Sequence, residues 1–248
     1  MKDRLTKSQV DLLGERLKNE KYNETDLKLL DEFRRSFHEA YEITVNAIRL
    51  RTKAEPSGRP AKSTTAIIEK LKRESIRLSQ FQDIAGCRIV VGTIVDQNQI
   101  VSAMINIFPN SKIVDRRLHP SHGYRGVHII VDVEGQWVEI QVRSMLQHLW
   151  AEVSEKLSDV GDPSIKYGGG KHDIQAALEE SSSLIAGIES LEIVSTETIT
   201  AYSEKKNFDS KDNSELNELR KAVSQIKKGM AETLKQLFRD FFMGVNIK

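Results

Sequence analysis

The chain has 248 residues, 39% of them hydrophobic, and its 37 Lys and Arg nearly cancel its 36 Asp and Glu to leave a net charge of +1. That length suits one α/β domain with helical additions, and that apolar content excludes a globally disordered chain. The near-neutral balance says nothing for or against a nucleic-acid partner, so any basic surface must be local.

In chain order, residues 6–19 read as an amphipathic helix, with Val10, Leu13 and Leu17 at helical spacing and Thr6 or Ser8 as its cap. A longer helix is expected from Thr25 to Lys53, its apolar face marked by Leu27, Leu30, Phe33, Phe37, Ala40, Tyr41 and Ile48. Pro56, Ser57, Gly58 and Pro60 break the pattern and make Glu55–Ala61 a loop. Ser63 then caps a helix over Thr64–Arg73. At Cys87-Arg88-Ile89-Val90-Val91 the pattern becomes that of a central strand. Cys87 is the single cysteine; it builds neither a disulfide framework nor a zinc site, and in that run it reads as buried.

Gln97–Phe108 is helical, Lys112–Asp115 a short strand, and Gly126–Val133 and Trp137–Arg143 form a hairpin turned at Glu134-Gly135-Gln136. Met145–Leu157 and residues 172–192 read as helices, joined by a loop that ends in Gly168-Gly169-Gly170. The isolated His172-Asp173 is a helix start rather than a metal site. Residues 195–212 are polar and read as a linker. Ser214–Met243 carries a continuous stripe (Leu216, Leu219, Val223, Ile226, Met230, Leu234, Leu237, Phe241) suited to docking on the body of the protein or to an oligomer contact. The charged N-terminus has no signal-peptide core and no apolar run is long enough to span a bilayer, so the expectation is a cytoplasmic protein without membrane contact.

Four segments carry candidate chemistry. Asp83 sits just before the Cys87 strand, next to the small residues Ala85 and Gly86. In Val138–Arg143, strand alternation puts Glu139, Gln141 and Arg143 on one face. Ser121-His122-Gly123-Tyr124-Arg125-Gly126-Val127-His128 sets an aromatic ring between glycines, where it could stack on a base. The fourth is basic: Arg49, Arg51, Lys53, Arg59, Lys62, Lys70, Lys72 and Arg73, with Lys62 beside a helix N-terminus, a natural anion site. Each alone also fits a plain structural role, such as a capping acid, a solvated sheet face, a tight turn or a charged surface.

Taken in order, Lys62-Ser63 with Ile68–Arg73, then Asp83-Ile84-Ala85-Gly86-Cys87-Arg88-Ile89, Gly123–His128, Glu139–Arg143 and the helix with Trp150-Ala151-Glu152 resemble the synthetase motifs of the RelA/SpoT alarmone family. The resemblance spans about residues 45–160, leaving residues 1–44 and 161–248 as helical regions on either side. It implies an α/β (α+β) fold: a mixed, largely antiparallel sheet of about five strands, of nucleotidyltransferase-like type, flanked by helices. It implies pyrophosphate transfer from ATP to the 3′-hydroxyl of GDP or GTP, with Mg²⁺ held by Asp83 and Glu139. Glu139 would share the metal or take the hydroxyl proton, with Gln141 orienting it. Arg51, Arg59, Lys62, Ser63, Lys70 and Arg88 would bind ATP; Tyr124, His122, His128, Arg125 and Arg117 would bind the acceptor.

The chain departs from the family pattern at His122, where an Asn is usual, and at Val114–Pro120. These departures keep a second acceptor class open: tRNA or adenine nucleotides, as in toxin-type relatives with an antitoxin, using Arg116, Arg117, Lys166, Lys171 and the Lys205–Lys211 stretch. An inactive nucleotide- or partner-binding scaffold is the third reading. The arrangement resembles a stand-alone synthetase without the metal-dependent hydrolase of long relatives, with a homo-oligomer through the terminal helices as a further expectation.

Overall fold

The computed structural model describes residues 5–203 and 210–245. Helices α1 (Lys7–Lys18), α2 (Glu24–Arg35) and α3 (His38–Thr52) come first, followed by β1 (Ser57–Arg59), α4 (Thr64–Arg73), β2 (Ala85–Val91), α5 (Ile94–Ile107) and β3 (Lys112–Asp115). Then come the β4 (Val127–Val133) and β5 (Gln136–Ser144) hairpin and helices α6 (Met145–Val160), α7 (His172–Ser203) and α8 (Ser210–Val245). The five strands form one mostly antiparallel sheet in the order β1-β2-β5-β4-β3. The chain divides into two compact units: Met1–Ile89, Ile100–Val114 and His128–Val142 make the first, and Val90–Gln99, Asp115–Val127 and Arg143–Lys248 the second.

The first helices begin where local chemistry starts them. Thr6 and Gln9 form a reciprocal capping box on α1, and Asn23 and Asp26 do the same on α2, so the orphan N–H groups of each first turn are satisfied. In the first unit α1 packs on α2 and α4, burying Leu13, Leu17, Leu30, Ile67 and Leu71 almost completely. Each such side chain contributes about 1.5–3 kcal/mol relative to staying in water.

Three expectations change. The helix expected over Thr25–Lys53 is two helices. The Ser36 hydroxyl donates to the Phe33 carbonyl at 2.7 Å, the carbonyl that the Phe37 N–H would take in a continuous helix, and that N–H turns to the Arg34 carbonyl instead. The loop expected at Glu55–Ala61 contains β1, antiparallel to β2 with Ser57 opposite Arg88, Gly58 opposite Cys87 and Arg59 opposite Gly86. A side chain at Gly58 would place its Cβ 2.4 Å from the Gly86 carbonyl oxygen, so only glycine lets the strand lie there.

The third change concerns the linker expected over residues 195–212. Residues 195–203 continue α7, and Ser195, Thr196 and Thr200 fit into it by returning their hydroxyls to carbonyls one turn back rather than competing for the backbone elsewhere. Residues 204–209 lie outside the described residues, and 210–212 already belong to α8.

The hairpin turns on two residues, Glu134 and Gly135, both at positive φ (54° and 80°), the geometry that matches strand twist. In the second unit Leu146, Trp150, Leu157, Ile174, Leu178 and Ile185 form a buried cluster of α6 and α7, and Met230 of α8 packs against it. Of the C-terminal stripe, Ile226 is half exposed, while the side chains of Leu216, Leu219, Leu234, Leu237 and Phe241 lie outside the described residues. No helix among the described residues is long and apolar enough to cross a membrane.

Candidate active site

In the first unit the sheet brings two carboxylates to one neighbourhood. Gly86 of β2 lies against Glu139 of the adjacent β5: a Cβ built on Gly86 would be 3.6 Å from that of Glu139. Alternation then puts Arg88 on the face of Gly86 and Gln141 on the face of Glu139. Asp83 stands two residues before β2. Lys62 Nζ donates to its Oδ2 at 2.6 Å and Lys70 Nζ to its Oδ1 at 2.8 Å. Both lysines and the acid are less than one-fifth exposed. Burial alone would raise the Asp83 carboxyl, but the charges and hydrogen bonds of Lys62 and Lys70 hold it below the usual carboxylate range.

The local sequence explains this clamp. The Lys62 N–H donates to the Ile84 carbonyl at 2.6 Å, and Ser63 caps α4 by accepting the Ala66 N–H. Lys70 sits two turns along α4 with its ammonium 4.9 Å from the centre of the Phe81 ring. The rest of the basic stretch serves other partners: Arg49 pairs with Glu55, Lys72 with Glu20 and Arg73 with Glu74. Arg51 and Arg59 are exposed, the latter on β1.

Glu139 accepts hydrogen bonds on both oxygens, from His128 Nδ1 at 2.7 Å and Gln141 Nε2 at 2.8 Å. Burial pushes its carboxyl up, but the His128 hydrogen bond and charge together with Gln141 outweigh that and lower it. The charge of Asp83 acts the other way, so the two carboxylates are close enough to feel each other. Cys87 behind them is buried, and burial followed by the Glu139 charge drives its thiol up to about 12, so it stays protonated and inert.

The second unit holds the Gly-Tyr-Arg-Gly loop. The Tyr124 hydroxyl accepts from Arg143 Nε at 3.2 Å, the Arg143 guanidinium lies 5.1 Å from its ring centre, and Trp150 stands at 6.5 Å, tilted by 53°. His122 has a positive φ of 51°, and Gly168 fits against its imidazole so closely that a Cβ there would overlap the ring. The triple-glycine loop is thus part of this cluster. Gln175 Nε2 ties it down through the Ile165 and Gly169 carbonyls.

Arg117 and Arg125, expected at the acceptor, have protein partners. Arg117 grips Asp115 and reaches Asn98 at 2.7 Å and Gln97 at 3.3 Å; Arg125 pairs with Glu189 at 3.2 Å and donates to the Arg117 carbonyl. Burial raises the Asp115 carboxyl, and Arg117 with Arg125 more than reverses the shift. Of the Lys205–Lys211 stretch, expected as part of a basic patch, residues 205–209 lie outside the described residues, as do the side chains of 210 and 211.

Sequence reasoning passed over Asp115, Gln97, Gln147 and Glu189. Glu189 did leave a signal. It and Glu192 fall at the buried positions of α7 with Ile185 and Ile188, and a carboxylate on a core face implies a charged partner.

Residues 58–158 match the model described as a region found in RelA/SpoT proteins. GTP pyrophosphokinase YjbM of Bacillus subtilis is 33% identical over 165 residues, 58% of this chain and 75% of that protein. An uncharacterized protein of Mycobacterium tuberculosis is 37% identical over 111 residues, and the match spans 43% of this chain and only 41% of that relative's length.

Among solved structures, small alarmone synthetase 1 from Bacillus subtilis superposes with a TM-score of 0.51 at 23% identity, covering 72% of this chain and all of that one. A GTP pyrophosphokinase family protein from Streptococcus pneumoniae gives 0.52 at 23%, covering 72% and 96%. The fold is therefore that of the small alarmone synthetases. With the YjbM match spanning three-quarters of that relative, the chain belongs to the RelA/SpoT family.

Proposed function

We propose that this chain is a pyrophosphokinase that moves the β,γ-pyrophosphate of ATP to the 3′-hydroxyl of GDP or GTP. The observation that carries the reading is the approach of a lysine-clamped Asp83, just before β2, to a hydrogen-bonded, ionised Glu139 on the adjacent β5. The name of the relative YjbM, a GTP pyrophosphokinase, supports the same chemistry.

Lys62 and Lys70 supply the positive charge that a polyphosphate needs, and the free N–H groups at the start of α4 add to it. Arg88, with Arg51 or Arg59, serves the adenine by stacking. Asp83, with Glu139 as a second carboxylate, would hold Mg²⁺. Among the described residues no cluster of three or more His, Cys, Asp or Glu forms a self-sufficient metal cage. Two acids fit the habit of Mg²⁺, which takes one or two carboxylates and completes its shell with water and substrate phosphates. When bound, the ion neutralises phosphate charge.

Glu139, ionised at neutral pH, accepts the 3′-hydroxyl proton as the hydroxyl oxygen bonds to the β-phosphorus. The bond from that phosphorus to the α,β-bridging oxygen breaks and AMP leaves. Gln141 and His128 hold the carboxylate in place. Tyr124 stacks on the acceptor base, with His122 beside it.

The test is incubation with Mg²⁺ and ATP labelled at the γ-phosphate, in separate reactions with GDP, GTP, AMP and bulk tRNA. Label on GDP or GTP is the expected result. Label confined to AMP or tRNA replaces the acceptor, and label on none of them refutes the enzyme reading.

A further inference from the structure

Glu189 lies on α7, outside the stretch that matches the family model, and its side chain is 4% exposed. A buried carboxylate is retained only with its lone pairs engaged. Ser144 Oγ donates to its Oε1 at 2.8 Å, Gln147 Nε2 donates to the same oxygen at 2.7 Å, and Arg125 Nη2 donates to Oε2 at 3.2 Å. Gln147 and Gln97 exchange hydrogen bonds through their amides, and Arg117 donates to Gln97 while its own carbonyl accepts from Arg125. The links close into a ring: Glu189, Gln147, Gln97, Arg117, Arg125 and back to Glu189.

One member of that ring, Arg125, lies inside the Gly-Tyr-Arg-Gly loop as the residue after Tyr124, and Arg117 precedes the loop. The loop turns at two glycines of positive φ (Gly123, 81°; Gly126, 157°); a single bridge pairs Tyr124 with Ser121, and the Gly126 carbonyl accepts from the Arg116 N–H. Between those backbone anchors, the Arg125 side chain is held by Glu189 and by the Arg117 carbonyl, and of these only Glu189 carries charge. The same carboxylate accepts from Ser144, which caps α6, the helix that carries Trp150 beside the Tyr124 ring.

We propose that Glu189 is a positioning residue for acceptor binding: through Arg125 it sets Tyr124, so the C-terminal extension is a working part of the acceptor site. This rests on the reading that Tyr124 receives the acceptor base. Removing the Glu189 charge lets Arg125 reorient and loosens Tyr124, while the ATP-binding residues of the first unit keep their own contacts.

Steady-state kinetics of the full chain with GDP as acceptor test this. Glu189→Gln should raise the KM for GDP roughly ten-fold, the loss of one charge-assisted hydrogen bond, with the KM for ATP unchanged. Glu189→Asp should recover part of the difference. If Glu189→Gln does not fold, Arg125→Gln combined with Glu189→Gln removes both charges, leaves no orphan ion, and should show the same selective rise. An unchanged GDP KM, or equal rises for GDP and ATP, overturns the proposal. Tyr124→Ala separates the two levels. A raised GDP KM in Tyr124→Ala with none in Glu189→Gln sinks the Glu189 role alone. No change in Tyr124→Ala sinks the acceptor reading and this role with it.

Discussion

Replacing Asp83 with Asn removes one charge from the Lys62–Asp83–Lys70 clamp and changes almost no volume. The two ammoniums now hold one carboxylate between them at 2.6 and 2.8 Å, each at 16% exposure. An amide can accept from one lysine, but it turns an NH₂ donor toward the other. Breaking a buried ion pair by deleting one partner costs about 3–5 kcal/mol; the residual exposure here screens the charges and brings the expectation to about 2–3 kcal/mol. For a chain of this size that is a fall in melting temperature of roughly 5–10 °C.

The folded-state pKa of Asp83 is lowered, because its lysines outweigh burial. Its stabilisation is therefore present above the unfolded pKa of about 3.9 and is lost as pH falls through the folded value. Thermal unfolding of wild type and Asp83→Asn should thus differ at neutral pH and converge only as the pH falls below the ordinary carboxylate range and through the lowered folded value. Millimolar inorganic pyrophosphate should narrow the neutral-pH gap, since its oxygens give the lysines the charge they have lost. A variant that melts with wild type at neutral pH, or a gap that persists unchanged in acid, would show that the clamp is not an energetic unit.

Two further outcomes follow from the same sheet. Glu139→Gln keeps the volume but cannot take a proton, so kcat should fall about 10²–10⁴-fold; its amide accepts from only one of His128 and Gln141 and turns a donor toward the other, so a modest drop in melting temperature accompanies the loss. Rapid-quench assays on the folded variant check this, and a fall under three-fold would remove Glu139 from the chemistry. Gly58→Ala forces a methyl into contact with the Gly86 carbonyl and the Cys87 Cα, 2.4 and 2.6 Å from its ideal position. It should cost about 1–3 kcal/mol by overpacking, readable in urea titration, with β1 and the adjoining Arg59 displaced.

Much of the architecture was legible because local signals agreed with the global result. Ser63 capping α4, the Glu134-Gly135 turn and the β-branched run after Gly86 each declare their element without help from distant residues. β1 did not declare itself: Ser57-Gly58-Arg59 has no strand composition, and its conformation is set by the β2 edge that it meets. The break at Ser36 was masked by an apolar stripe that continues in register across it.

At the site, Lys62, Lys70, Asp83, Glu139 and Gln141 were all named from sequence, and in the first unit they form two hydrogen-bonded sets, one around Asp83 and one around Glu139, whose carboxylates feel each other's charge. What sequence could not supply was partnership. It named Arg117 and Arg125 without the Asp115 and Glu189 that hold them. The Arg125–Glu189 pairing joins residues 64 positions apart, a separation that motif spacing does not encode.

The α6–α7 cluster has a consequence for anyone who would trim the chain to its recognised motif. The family-matched stretch stops at residue 158, yet the indole N–H of Trp150 is satisfied by the Leu178 carbonyl and Ser181, and Leu146 and Leu157 are covered by side chains from further along the chain. Cut there, α6 would show water an apolar stripe and a Trp150 ring stripped of its cover and its protein hydrogen-bond partners. The borders drawn by sequence likeness and those drawn by packing do not coincide, and the physical module ends well after the recognisable one.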